Sequence, residues 1–349
     1  MHVVEPVAGS TGGARPTMGD VARAAGVSTA LVSIVMRGVP GASEATRRRV
    51  LDIADEMGYV PDRRAQKLRQ ASSRLLGVVF ELQQPFHGDL VEQIYAAATR
   101  RGYDVMLSAV APSRAEKVAV QALMRERCEA AILLGTRFDT DELGALADRV
   151  PALVVARASG LPGVGAVRGD DVAGITLAVD HLTELGHRNI AHIDGADAPG
   201  GADRRAGFLA AMDRHGLSAS ATVVAGGTTE TEGAEGMHTL LEMATPPTAV
   251  VAFNDRCATG VLDLLVRRGR DVPADISVVG YDDSRLARIP HVQMTTISQD
   301  ATHMAEAAVD GALAQIAGDK AIDLVLAPHL VRRATTGHVA QHDSDQEPA

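Results

Sequence analysis

From Leu75 onward, short apolar runs alternate with longer amphipathic stretches. Apolar runs at 75–80, 103–109, 130–134, 151–156, 190–194, 222–225, 248–253 and 276–280 read as buried strands. Between them, 88–101, 114–127, 171–186, 203–215, 230–243 and 255–269 read as helices. Strand followed by helix, repeated, predicts parallel sheets with right-handed crossovers, the doubly wound α/β class. A stretch of about 260 residues exceeds what one core usually serves, so two similar lobes are expected rather than one sheet. A strand at 293–297, a helix at about 300–317 and short strands at 324–327 and 329–334 follow. The core is thus expected over 75–337. Its first lobe takes 75–169 plus 298–322, and its second takes 170–297 plus 323–337. The Gly-, Ser- and Pro-rich start (1–15) and the polar end (338–349) are expected to lack structure.

Ahead of the core, residues 16–61 carry three short helical patterns, at about 18–25, 28–37 and 44–57. Thr17 with Asp20 three residues on forms a capping-box variant, and Ser43 caps the third helix. Gly26 and Gly58 close the first and third. Ala22 and Ala25 are small where two helices must cross, and Val21, Val27, Val32 and Val35 can face inward. The second helix then exposes Thr29, Ala30, Ser33, Ile34 and Arg37, with Thr17 and Ser28 at the starts of the first two helices. A helix of this size fits a major groove, although any small helical hairpin also has a glycine turn and alanines.

Charge sharpens the picture. The 349 residues carry a net −10, but residues 1–74 hold 11 Arg/Lys against 7 Asp/Glu. The remaining 275 hold 23 against 37. A basic segment on an acidic body points to nucleic acid. The apolar and charged shares, 46% and 22%, are ordinary for a globular protein. The apolar runs fall short of the roughly 18 residues that a membrane helix needs. No apolar stretch follows a basic start, so a secretory signal is not expected and a cytoplasmic location is. Cys128 and Cys257 form no C-x-x-C pair and no disulfide framework, which fits a reducing compartment.

The segments DVARAAGVS (20–28), SEATRRRVLDIADEMGYVPDRRAQKLR (43–69), GVVF (77–80), QPF (84–86), DHLTELGHRNIAHI (180–193), R-x-x-GF (204–208), FND (253–255), ISVVGYDD (276–283) and TTISQD (295–300) follow one another in order. Together they closely resemble the lactose-repressor (LacI/GalR) family of transcription regulators, over about 17–337. The resemblance implies a homodimeric repressor. Its helix-turn-helix heads would read a near-palindromic operator, and its two-lobed core, of the periplasmic-binding-protein type, would bind a small effector. It also implies a hinge helix at DRRAQKLRQ (62–70), within a linker over 62–74. There Leu68 matches the apolar side chain wedged into the central minor groove, alongside Arg63, Ala65 and Gln66. Such a wedge unstacks a base step and bends the DNA. The recognition helix departs from the family pattern: Leu31-Val32-Ser33-Ile34 replaces a common Thr-Val-Ser-Arg, and Arg37 stands where Asn is usual. Ile34 forgoes the bidentate guanine contact of an arginine. The operator sequence is therefore left open.

Two doubly wound lobes place ligands at the carboxyl ends of their strands. The resemblance points there to Arg204, Asn254 and Asp282, a donor fork, an amide and an acceptor suited to vicinal hydroxyls of a sugar. Asn254 could equally cap a helix, and Asp255 and Asp283 are expected in caps or turns. Gln84-Pro85-Phe86 places Phe86 either at the pocket or in the core. Arg157 and Asp170 also lie at strand ends and could pair with each other. Aromatic residues are only 3% and Trp is absent, which limits stacking on a sugar ring and keeps nucleosides and polyols open. His181, His187 and His192 show no metal-ligand spacing. LPGVGAVRG (161–169) and VVAGGTT (223–229) lack the third glycine or the lysine of a phosphate loop. No cofactor, catalytic residue or metal is expected. A transporter's solute-binding protein would explain only the core, and an α/β enzyme only the alternation.

Overall fold

The computed structural model describes residues 16–36, 38–59 and 72–339. They fall into two compact units, one up to Ser72 and one from Ser73. In the first unit, helices α1 (Met18–Ala25), α2 (Thr29–Met36) and α3 (Glu44–Glu56) form a small bundle. Thr17 and Asp20 cap α1 reciprocally, the Thr17 amide donating to Asp20 at 2.9 Å and the Asp20 amide to Thr17 at 3.3 Å. Gly26, at φ 64°, ends α1 in the left-handed conformation. The chain then turns by 104° into α2, within the range of a helix-turn-helix. Val21, Ala22, Ala25, Val32, Val35, Val50 and Ala54 bury the shared core, with Val27 partly buried beside it. Their small volumes permit the close crossing.

The second unit holds two six-stranded sheets. The first lobe runs β1 (Leu75–Glu81), α4 (Pro85–Arg100), β2 (Asp104–Val110), α5 (Glu116–Arg125), β3 (Ala130–Leu134), α6 (Thr140–Ala147), β4 (Ala152–Val155) and β5 (Gly165–Gly169). The second runs α7 (Asp171–Glu184), β6 (Ile190–Ile193), α8 (Gly201–Arg214), β7 (Ala221–Val224), α9 (Glu230–Leu241), β8 (Ala249–Ala252), α10 (Asp255–Arg267), β9 (Ser277–Asp282) and β10 (Thr295–Ser298). The chain then returns to the first lobe through α11 (Ala301–Ile316) and β11 (Asp323–Leu326), and ends in the second with β12 (His329–Val331). The strand orders are β11-β5-β4-β3-β1-β2 and β12-β10-β9-β8-β6-β7. All ladders are parallel except β10 with β12. Both faces of each sheet are covered by apolar clusters under the helices, as parallel sheets require.

The sequence reading needs correction at three places. β5 and α6 are additional elements. β5 reads GAVRG, too short and glycine-bounded to stand out, and becomes a strand by pairing with β4 and β11. The return to the second lobe falls between Leu326 and His329, not at 323, because Asp323–Leu326 pair in register with Ala166–Gly169 of β5. The last strand ends at Val331 rather than 334.

Helices α9 and α10 cross unusually closely. A Cβ on Gly260 would lie 1.8 Å from the Glu230 carbonyl oxygen, and one on Gly233 2.1 Å from that of Cys257. Backbone cannot give way as a side chain can. Gly260→Ala is therefore expected to destabilise the core by about 2 kcal/mol or more, within or above the usual overpacking range. Gly88→Ala, in open space on α4, is expected to change stability by less than about 1 kcal/mol, in the stabilising direction. Urea unfolding of both variants beside the parent measures the contrast.

Candidate functional site

In the head, α2 presents its amino end to solvent: Ser28, Thr29 and Ala30 are exposed. The Ser28 hydroxyl accepts from the Leu31 amide at 3.2 Å and so caps the helix. Thr17 is exposed, with its hydroxyl donating to Asp20 at 2.6 Å. Ser33 and Ile34 are half-buried, against the expected exposure. Ile34 packs over Gly41, where a Cβ would come within 3.3 Å of its side chain. Its apolar side chain thus gains cover from the loop after α2, which an arginine would have avoided. Arg47 donates to the carbonyls of Val39 at 2.9 Å and Val35 at 3.4 Å, tying that loop to α3. Arg37, Arg63, Ala65 and Leu68 lie outside the described residues.

In the core, a cleft between the lobes is lined by carboxyl ends of strands and the helix starts that follow them. Arg204 sits in the first turn of α8 and is 5% exposed. Its Nε donates to Asp171 Oδ1 at 2.7 Å and its Nη1 to the Phe253 carbonyl at 2.6 Å. The guanidinium carbon lies 3.6 Å from the Tyr281 ring centre and 4.6 Å from that of Phe253. Burial opposes the charge, yet Asp171 holds the guanidinium protonated more firmly than in water. Tyr281 fits beneath it because position 174 is glycine: a Cβ there would lie 2.3 Å from the tyrosine hydroxyl. Neither of the two bonds uses Nη2, and Arg204 is among the residues that line the cleft.

Asn254 is the helix cap that the sequence also allowed. Its Oδ1 accepts from the Cys257 amide at 2.8 Å as the cap of α10, and the residue lines the cleft. Asp282 ends β9 in a left-handed conformation, φ 114°. Its Oδ1 accepts from Gln299 Nε2 at 2.7 Å. Burial pushes its carboxyl up to about 8, against the pull of Arg204. Neighbouring Asp255 is buried as well, and is pushed up to about 7 although it accepts from the Thr296 hydroxyl at 2.6 Å and the Ser284 amide at 2.7 Å. Burial thus raises both carboxyls of the pair above the ordinary carboxylate range.

The first lobe contributes Glu81, Gln84, Phe86, His87, Gly135 and Arg137. Phe86 is buried in the core and also borders the cleft. His87 Nδ1 accepts from the Glu81 amide at 3.0 Å, which places the ring proton on Nε2. Burial pushes its pKa down to about 4, so it is neutral. Nε2 faces Gly135, where a Cβ would lie 2.9 Å away. Arg157 is a correction: its Nη1 donates to the carbonyls of Thr136 at 3.0 Å and Phe138 at 3.1 Å, inside the first lobe, and it does not line the cleft. Nor does it pair with Asp170, which caps α7 by accepting from the Ala173 amide at 2.9 Å. Asp283 pairs with Arg333 at 2.5 Å, a tie to the chain's end. Sequence reasoning missed Asp171, His87, Arg137 and Gln299. The Asp170-Asp171 doublet before a helix and the glutamine inside TTISQD were the available signals. The lobes also touch directly, the Arg285 amide donating to Asp89 at 3.0 Å.

Residues 17–62 match the family described as bacterial regulatory proteins, lacI family, and residues 179–336 match the periplasmic binding protein-like domain. The chain is 32% identical to the transcriptional regulator GalR of Salmonella typhimurium over 342 residues, 94% of this chain and 99% of that one. Its structure is similar to the lac repressor dimer bound to operator and the anti-inducer ONPF, with 31% identity, a TM-score of 0.79, and 93% and 100% of the two chains covered. It is also similar to a LacI transcriptional regulator from a Rhodococcus species, with 97% identity, a TM-score of 0.76, and 76% and 100% covered.

The buried carboxyls and His87 give the core a signed pH dependence. Asp255 and Asp282, raised from 3.8 to about 7 and about 8, bind protons more tightly folded than unfolded. Their contribution is complete below pH 3.8 and is lost as pH rises through 7 and 8. His87, lowered from 6.5 to about 4, acts oppositely, but only between those values. Unfolding free energy should therefore fall as pH rises from 6.5 to 8. Asp255→Asn, which mimics the protonated form, should flatten that slope in urea titrations at several pH values.

Proposed function

The chain belongs to the lacI family of bacterial regulatory proteins and is a DNA-binding transcriptional regulator, and we propose that it represses by holding a near-palindromic operator as a homodimer under the control of a sugar-like effector in the cleft. The single observation that carries the effector reading is the buried Arg204 fork, held by Asp171 and Phe253 and stacked on Tyr281. Beside it stand the Asp282 carboxyl, raised by burial, an amide at Asn254 and another at Gln299. Directional donors and acceptors without a large unpaired charge match neighbouring hydroxyls better than they match a phosphate or a metal ion. The scarcity of aromatic residues places the recognition on hydrogen bonds rather than on ring stacking.

On the DNA side, Ser28, Thr29 and Ala30 form the exposed start of the reading helix, with Ser33 and Ile34 half-covered behind them. Their small side chains offer hydroxyls and a methyl to base edges. Direct readout is then thin. Arg37, with Arg63, Ala65 and the Leu68 wedge of the hinge, is assigned the remaining share through base contact and DNA bending. A regulator that reads DNA works in the cytoplasm, and its relatives are regulators rather than enzymes. A transporter's binding protein would have no use for the helix-turn-helix.

Two outcomes follow. Arg204→Ala removes charge-assisted bonds worth roughly 1.5–3 kcal/mol each, so the effector concentration that shifts operator binding should rise at least about tenfold. Unaltered effector sensitivity would remove the cleft assignment. Leu68→Ala should weaken binding to the best operator by a few kcal/mol, the scale of bending and unstacking. It should leave the salt slope on random DNA nearly unchanged, since no phosphate contact is lost. Gel-shift titrations on operator and random duplexes measure both terms, and equal losses on the two would count against the wedge.

A further inference from the structure

At the amino ends of its strands, away from the cleft, the first lobe carries a cluster built around Glu129. Arg74, Tyr103 and Glu129 immediately precede β1, β2 and β3, which lie side by side with β1 in the middle. The Arg74 amide donates to Glu129 Oε1 at 2.9 Å, and the Tyr103 hydroxyl to Oε2 at 3.2 Å. Burial and the carboxylate both raise the Tyr103 hydroxyl above its ordinary value, so it stays a donor. The Glu129 amide in turn donates to the Leu75 carbonyl at 2.8 Å, and the Asp104 amide to the Arg74 carbonyl at 2.9 Å. One carboxylate thus ties three strand starts together.

The backbone here is held away from its ordinary conformation. Arg74 has φ 47° and Arg127 φ 57°, left-handed values that residues other than glycine rarely adopt. The two positions are linked, since Ser73 Oγ donates to the Arg127 carbonyl at 2.8 Å. The Arg74 guanidinium lies 6.0 Å from the Tyr103 ring centre, at the outer limit of a cation–π contact. A Cβ at residue 102 would come within 3.2 Å of Arg74 Nη1, so Gly102 leaves that side chain its place. Such backbone conformations persist only where the surroundings over-determine them, and they concentrate at clamps and switch regions.

Ser73 opens the core unit, and the chain ahead of it leads to the head. We propose that Glu129 is a positioning residue for operator binding: by holding the Arg74 amide it fixes the direction of the chain where the linker joins the core. An ordinary negative φ at residue 74 would turn the incoming chain another way. Reading a near-palindromic site needs both heads in register at once, and a preformed junction spares the ordering cost of that state. Attachment to phosphates makes no such demand. The anchor therefore acts on the discrimination between operator and random DNA. This role rests on the reading of a near-palindromic operator and is independent of the effector.

Gel-shift titration of the full chain tests it, with a duplex selected by the parent from a randomised library as the operator probe and a shuffled duplex of equal length as random DNA. Glu129→Ala should weaken operator binding at least about tenfold, the scale of a lost bond to a charged acceptor. Binding to random DNA should change by less than about twofold, since no phosphate contact is lost. Glu129→Gln, whose amide oxygen still accepts from the Arg74 amide, should recover most of the loss. Urea unfolding of each variant accompanies the titrations. A lowered midpoint with the operator-to-random ratio of the parent would show a role in core stability alone and overturn the positioning role. Ser73→Ala removes the bond to the Arg127 carbonyl and should lower the ratio in the same direction; it serves if Glu129→Ala does not fold. A parental ratio in both variants, or a Glu129→Gln as weak as Glu129→Ala, would overturn the anchor while leaving operator binding in place. Selection of no duplex over random DNA by the parent would overturn the operator reading and this inference with it.

Discussion

A buried guanidinium sets the terms for the core's ligand site. Removing the Arg204 charge from water is costly unless a counter-charge and hydrogen bonds replace the lost hydration. Asp171 supplies the charge, the Phe253 carbonyl a second acceptor, and the Tyr281 and Phe253 rings a polarisable surface. Each of these imposes a further requirement. Tyr281 can reach beneath the guanidinium only over a glycine at 174. Asp171 must open α7 and Arg204 must lie in the first turn of α8, so the two helix starts are fixed side by side. With two edges of the fork occupied by the protein, the third is oriented without any ligand present.

The same low-polarity surroundings explain the chemistry beside it. Asp282 and Asp255 share one buried region that already contains a stabilised cation. Burial raises both carboxyls above the ordinary carboxylate range. His87 is neutral for the same reason, and the Glu81 amide decides which nitrogen keeps the proton. Hydrogen-bond donors and acceptors thus line the cleft, with the Arg204 charge compensated by Asp171.

The head answers a different constraint. DNA carries the same backbone charge whatever its sequence, so basic residues suit attachment and base edges are left to other side chains, the exposed start of α2 being proposed among them. Its net positive balance contrasts with the acidic core. Ile34 illustrates the local trade: it covers the loop at Gly41 and gives up a polar contact to DNA.

Much was legible in the linear chain. The period of the apolar residues determined the alternation of strands and helices, and with it two parallel-sheet lobes. The spacing of Thr17 with Asp20, and glycines at 26 and 58, determined where head helices begin and end. These features rest on contacts between residues three or four apart, which the sequence displays directly. Other features were decided only in three dimensions. Arg157 and Arg204 look alike in sequence, yet one ties carbonyls within the first lobe while the other reaches Asp171 and faces the cleft. Strand β5 exists because β4 and β11 flank it, and β11 belongs to the first lobe because it finds β5. The raised carboxyl of Asp282 and the neutral His87 likewise depend on partners far away along the chain. Burial and pairing are properties of neighbours in space, and for these residues the neighbours are set by the packing of whole elements.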